Sequence, residues 1–132
     1  AMFCEAGHAY VYFIYGMHYC FNVVSEEVDI GAAVLIRAVA PVSGSEVMLR
    51  RRDLAKDGFQ VTNGPSKLCQ AMGIDLALNG ENLRYSQAVG IYKADPSIKS
   101  SDIISSSRIG ISKAQELEWR FYLRGCSWVS KP

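Results

Sequence analysis

Apolar and polar positions follow a period of two near the start of the chain. Residues 9–15 (AYVYFIY) and 18–24 (HYCFNVV) are runs of aromatic and β-branched side chains, interrupted at Gly16-Met17. Two such runs around a short break predict a β-hairpin with its tip at the break. After an acidic loop, SEEVD at 25–29, the run GAAVLIRAVAP (31–41) is almost continuously apolar and predicts a third strand carrying one charge, Arg37.

The period then changes. SGSE (43–46) has the spacing of a capping box and predicts a helix through VMLRRRDLAKD, ended by Gly58 in a left-handed conformation. The three arginines 50–52 read most simply as its solvated face. A second helix is predicted over 63–73, with Pro65 in its first turn and Gly73 at its end. Residues 74–87 read as loop with a turn at Asn79-Gly80, and 88–95 (AVGIYKAD) as a strand. The serine-rich stretch 96–107 reads as a surface connection. RIGIS (108–112) and RFYLRG (120–125) read as strands or extended segments around a short helical piece. The sum is an α+β domain, mostly antiparallel, with a protruding hairpin and a few flanking helices.

Composition narrows the function classes. The 132 residues suit one domain with a real core, and a 49% hydrophobic content excludes a disordered chain. A net charge of +1 supplies no global attraction to nucleic acid, so phosphate binding would need local Lys and Arg. Cys4, Cys20, Cys69 and Cys126 form no C-x-x-C pair, which argues against zinc and suits reduced thiols in a cytosolic or nucleoid compartment. His8 and His18 lack partners at metal-ligand spacing, so no metal is assigned. No apolar run has the length of a membrane span.

Several side chains could carry chemistry. Alternation puts Tyr10, Tyr12 and Ile14 on one side of the first strand and Val11, Phe13 and Tyr15 on the other. Core packing accounts for Tyr10, Val11 and Phe13. Tyr15, at the tip beside Gly16, is expected in solvent, where an aromatic ring makes a wedge for a base stack or is simply exposed. Arg37 has two readings, an ion pair with Glu26, Glu27 or Asp29, or a site role. Asn22 is either hydrogen-bonded to backbone or presented to a ligand edge. Gly-Pro-Ser-Lys (64–67) at a helix start offers N–H groups, a hydroxyl and an ammonium to a phosphate, or is an ordinary helix start with an exposed lysine.

Taken together, YVYFIYGMHYCFNVV, VLIRAVAP, NGPSKLCQAMGI and RIGIS…RFYLRG resemble the alkyladenine (methylpurine, 3-methyladenine) DNA glycosylase family, in order from Met2 to Ser130. The resemblance implies a base-excision-repair enzyme that flips a nucleotide from the duplex and hydrolyses the N-glycosidic bond of alkylated or deaminated purines. It implies that Tyr15 wedges into the duplex, with Gly16 and Met17 beside it on the DNA. Tyr12 then stacks on the flipped base, Asn22 lies at its edge and disfavours guanine, and Leu35 forms pocket wall. Arg37 and the backbone carbonyl of Ile109 position the attacking water, and Ser66 and Lys67 contact phosphates. No cofactor is implied, and the partner is double-stranded DNA with damaged purines, bound by a monomer in the cytoplasm and bacterial nucleoid, or in a nucleus.

Departures from the family are informative. Family members carry an N-terminal Glu-Ala-Tyr motif whose glutamate is the general base, and these 132 residues contain no such motif. Glu5 is followed by Ala6-Gly7, where the family usually has Pro-Gly. His18 stands where an aromatic is common, and Leu76 falls near a position that is basic in some relatives. The expectation is a single domain over residues 1–132, N-terminally shortened. It is either a glycosylase, or its C-terminal part, or a DNA-binding remnant without the general base.

Overall fold

The computed structural model describes residues 1–109, 111, 113–114 and 116–130. The chain forms two compact units, Ala1–Tyr92 and Lys93–Pro132. The architecture is α+β: among the described residues there are two helices and antiparallel sheets of three and two strands.

In the first unit, β1 (Ala9–Ile14) and β2 (His18–Val24) form the expected hairpin. β3 (Ala33–Leu35) adds antiparallel to β2. Its three residues are far fewer than the run 31–41 predicts. Pairing persists one step, with Ile36 N–H donating to the Phe21 carbonyl at 3.0 Å. Val39 then turns its backbone to Thr62, whose Oγ1 donates to the Val39 carbonyl at 2.6 Å. Backbone groups bonded to Thr62 are no longer available to a sheet. The outer edge of β1 is closed by residues 79–82: Asn79 Oδ1 accepts from Val11 N–H at 2.9 Å and the Glu81 carbonyl from Ala9 N–H at 2.8 Å.

Helix α1 (Ser45–Arg52) begins at Gly44, with no side-chain cap in place of the expected box. It ends at Asp53 in the left-handed region (φ 55°), five residues before Gly58, which is extended. Aspartate tolerates that conformation, and Leu54 N–H closes on the Leu49 carbonyl at 2.9 Å. The arginine run is not simply solvated. Arg51 Nη1 donates to the Ala71 carbonyl at 3.2 Å, while Arg52 donates to the Val61 and Gln60 carbonyls and to Gln70 Oε1. Helix α2 (Pro65–Met72) matches its prediction, with Pro65 at its start and Gly73 left-handed at its end. The guanidinium of Arg51 would lie about 3.0 Å from a Cβ at Gly73, a second reason for glycine there.

Leu68, Cys69 and Ile74 pack with Ala9, Val11, Phe21 and Leu83 to form the core. Tyr10 is only half-buried and Phe13 is 48% exposed, so neither is the core residue that the sequence suggests. Phe13 instead packs on Tyr19 across the hairpin, ring centroids 5.0 Å apart.

Residues 88–95 form no strand. Ile91 N–H bonds the Leu83 carbonyl, and the segment that follows is exposed with no strand beside it. In the second unit the serine-rich stretch is more than a connection: it contains a 3-10 turn (Ser100–Asp102) and β4 (Ile103–Ser106). β4 pairs antiparallel with β5 (Arg120–Leu123). Arg108 and Ile109 lie outside any strand; Gly110 and Ser112 of the expected strand, and Gln115 of the helical piece, lie outside the described residues.

Candidate functional site

The sheet register assembles the candidate site. Tyr10 pairs with Asn22, and Asn22 with Leu35, so these three form one row across the sheet. Tyr12 pairs with Cys20, while Arg37 follows two residues after Leu35, past the last paired position. Both rows belong to one face, because positions two apart on a strand share a side. Side chains two apart, or diagonal across neighbouring strands, lie about 7 Å from each other, so these groups line one small surface. The opposite face, through Val11 and Phe21, packs on α2.

Each group on the site face has a physical setting. Asn22 is only 6% exposed, and its Nδ2 donates to the Tyr10 carbonyl at 3.1 Å. That bond fixes the amide, and among the described residues nothing donates to its Oδ1. The backbone and ligand-edge readings are therefore compatible. The Tyr12 ring packs on Tyr10 at 5.3 Å between centroids. Burial, and then the Cys20 thiol opposite it, push the Tyr12 hydroxyl up to about 12, so it stays neutral through the physiological range. Arg37, half-buried just past β3, is partnered within the protein.

Beyond these rows the hairpin runs into solvent. Tyr15 is 83% exposed and Met17 71%, with Gly16 and His18 exposed beside them. Aromatic and apolar groups thus stand at a projecting tip. At the start of α2, Ser66 and Lys67 occupy the first turn after Pro65, where N–H groups have no carbonyl one turn back. Lys67 Nζ donates to Asn63 Oδ1 at 3.0 Å, which holds the ammonium beside that turn. Ile109 belongs to the second unit, in a bend after β4. The structure therefore brings Tyr12, Asn22 and Leu35 onto one face, with Arg37 two residues past Leu35 and Tyr15 to Met17 at the hairpin tip.

A family model, methylpurine-DNA glycosylase, matches residues 1–127. The chain belongs to this family. Its relatives include proteins provisionally named 3-methyladenine DNA glycosylase in Carboxydothermus hydrogenoformans (45% identical over 130 residues), Francisella tularensis (47% over 132) and Methanoculleus marisnigri (45% over 131). Each alignment takes in 98% of this chain and 67 or 68% of the relative, so the chain spans about two-thirds of their length.

Three residues take places that differ from their reading in the sequence as core, free thiol and turn. Tyr10 holds the Asn22 amide and packs on Tyr12, Cys20 lies under the Tyr12 hydroxyl, and Asn79 ties the edge of β1. Counting back from a break at Gly16-Met17 would have paired Tyr12 with Phe21; the three-residue tip, with Ile14 opposite His18, puts Cys20 there instead. Asn79 meets Val11 across 68 residues and left no local signal. Among the described residues no group of His, Cys, Asp and Glu could hold a metal, and no helix is long and apolar enough to cross a membrane.

Proposed function

We propose that this chain acts on alkylated or deaminated purines in double-stranded DNA, flipping the damaged nucleotide out of the helix for hydrolysis of its N-glycosidic bond. The observation that carries the reading is the co-facial arrangement of Tyr12, Asn22 and Leu35 behind an exposed Tyr15-Gly16-Met17 tip. A base buried in a duplex is out of reach until it is extruded, and the gap it leaves must be filled. Tyr15 fills the gap. The neutral Tyr12 ring offers a π-face to an electron-poor, alkylated purine. Asn22, fixed by the Tyr10 carbonyl, sits at the base edge and opposes the extra amino group of guanine, while Leu35 closes the wall. Arg37 positions the water that attacks the sugar carbon. Ser66 and Lys67 hold backbone phosphates at the start of α2. The work is done by a monomer, without cofactor, where chromosomal DNA lies.

One observation favours a second reading for the 132 residues on their own. The paired rows of the site face present Tyr10, Tyr12, Cys20, Asn22 and Leu35, and none of these is a carboxylate that would activate water. A positioned general base is worth on the order of a hundred- to ten-thousand-fold in rate. The chain alone is then a binder and opener of damaged DNA, with little excision. The experiment incubates the 132-residue chain with duplexes containing hypoxanthine or a methylated adenine, measuring released base and, by anisotropy, affinity for abasic-site and intact duplexes. Preferential binding to the abasic duplex with little release is expected. Fast release would overturn the binder reading, and equal affinity for both duplexes would overturn nucleotide flipping itself.

A further inference from the structure

The hairpin tip holds two consecutive residues in the left-handed region, Tyr15 at φ 55° and Gly16 at φ 71°. Met17 N–H reaches back to the Ile14 carbonyl at 3.4 Å and closes the turn. The strands last pair at Ile14 and His18, so three residues make the tip, and its first two have the positive φ of a type I′ turn's central pair, for which Asn-Gly is favoured. Glycine meets that demand without strain. Tyrosine does not, because its Cβ is driven towards the following carbonyl. Asp29, Asp53 and Ala114 also have positive φ, but all three are small, and a bulky aromatic there is a different matter. The Tyr15 ring is almost wholly in solvent, so packing within the fold does not offset the cost.

We propose that the tip is a strained, pre-aimed wedge: the left-handed pair fixes the direction in which the Tyr15 ring leaves the hairpin, and Gly16 is the positioning residue that holds it. This rests on the reading of Tyr15 as the group that enters the duplex. A Cβ built at Gly16 would meet nothing within 4 Å, so glycine supplies a backbone conformation there and not room. A ring already pointed outward loses less freedom when it enters a base stack than one on a flexible loop. Local strain kept where the fold gains nothing from the side chain marks a residue retained for an external partner.

The test separates strain from wedging. Tyr15→Asn, which supplies the favoured turn pair, should raise the Tm by about 3–5 °C, the scale of a relieved backbone strain in a domain of this size. It should also weaken binding to an abasic-site duplex by about tenfold or more, the loss of one base-stacking contact. Gly16→Val, with Tyr15 intact, should weaken abasic-duplex binding several-fold and intact-duplex binding by clearly less. Gly16→Asn, which tolerates the left-handed region, should restore it. A Tyr15→Asn variant that melts at or below the parent temperature overturns the stored strain while leaving the wedge in place. Parent-like abasic binding by Gly16→Val overturns the aiming role. Parent-like abasic binding by Tyr15→Asn removes the wedge reading underneath both.

Discussion

Val11 and Tyr15 stand four residues apart on one hairpin, and they are 2% and 83% exposed. At Val11 every group is engaged: the side chain packs against the α2 core cluster and the N–H is bonded by Asn79. At Tyr15 the ring touches solvent and the backbone sits in a conformation that tyrosine disfavours. Root and tip share a strand register but not a purpose. The root supplies the stability that lets a strained tip persist, so stability and DNA contact should respond to different substitutions.

The largest effect should come from the root. Leu68→Ala empties a fully buried site against Val11 and Phe21 and should cost roughly 2–5 kcal/mol in thermal or urea unfolding. DNA binding should fall with the folded fraction and no faster. A parent-like melting temperature would show that the core lies elsewhere.

A second measurement reads the root through pH. Burial, and next the neighbouring Cys20, push the Cys69 thiol from its ordinary value of 9.0 up to about 12. The fold favours the neutral thiol. Its contribution is therefore complete below about pH 9 and is lost as pH rises towards 12. Melting temperature should fall across that window, and Cys69→Ala should fall less steeply, whatever its starting value. Identical slopes would assign the alkaline loss to other groups, Tyr12 among them.

At the tip, Tyr15→Ala keeps the same backbone strain, so its melting temperature should stay within the shift of about 0.5 kcal/mol typical of surface changes. Affinity for an abasic-site duplex should fall by a stacking contact, roughly 1–3 kcal/mol. An early-melting Tyr15→Ala would erase the distinction between root and tip. The smallest effect belongs to Lys67→Ala, beside neither. It should weaken binding to damaged and intact duplexes alike and lower the slope of log affinity against log salt by about one. An unchanged slope would make Lys67 a surface lysine held by Asn63.

Local rules made much of this legible. Alternation fixed the hairpin, and Pro65 and Gly73 bounded α2, because those signals act within a few residues. The register itself was not legible: a two-residue break at Gly16-Met17 would set Asn22 opposite Val11, and only the observed pairing of Ile14 with His18 puts it on the face of Tyr12. What else escaped depends on distant partners. The third strand stops because Val39 turns to Thr62, 23 residues away. The segment 88–95 has strand-forming residues but no strand beside it, and β4 exists because β5 pairs with a serine-rich stretch. Asn79 reads locally as a turn residue, yet its side chain secures the root.

The arginine run carries a consequence for how this chain tolerates substitution. Arg50 makes no side-chain bond among the described residues, Arg51 reaches one carbonyl, and Arg52 forks onto three acceptors of the segment after α1 and of α2. A lysine keeps the charge of each but has no planar fork. Lysine should thus pass unnoticed at 50, loosen one tether at 51, and release the helix pair at 52, where α1 has no buried residue to hold it in place. Three identical letters in a row are three separate degrees of freedom for change, graded from open to closed within a single helical turn.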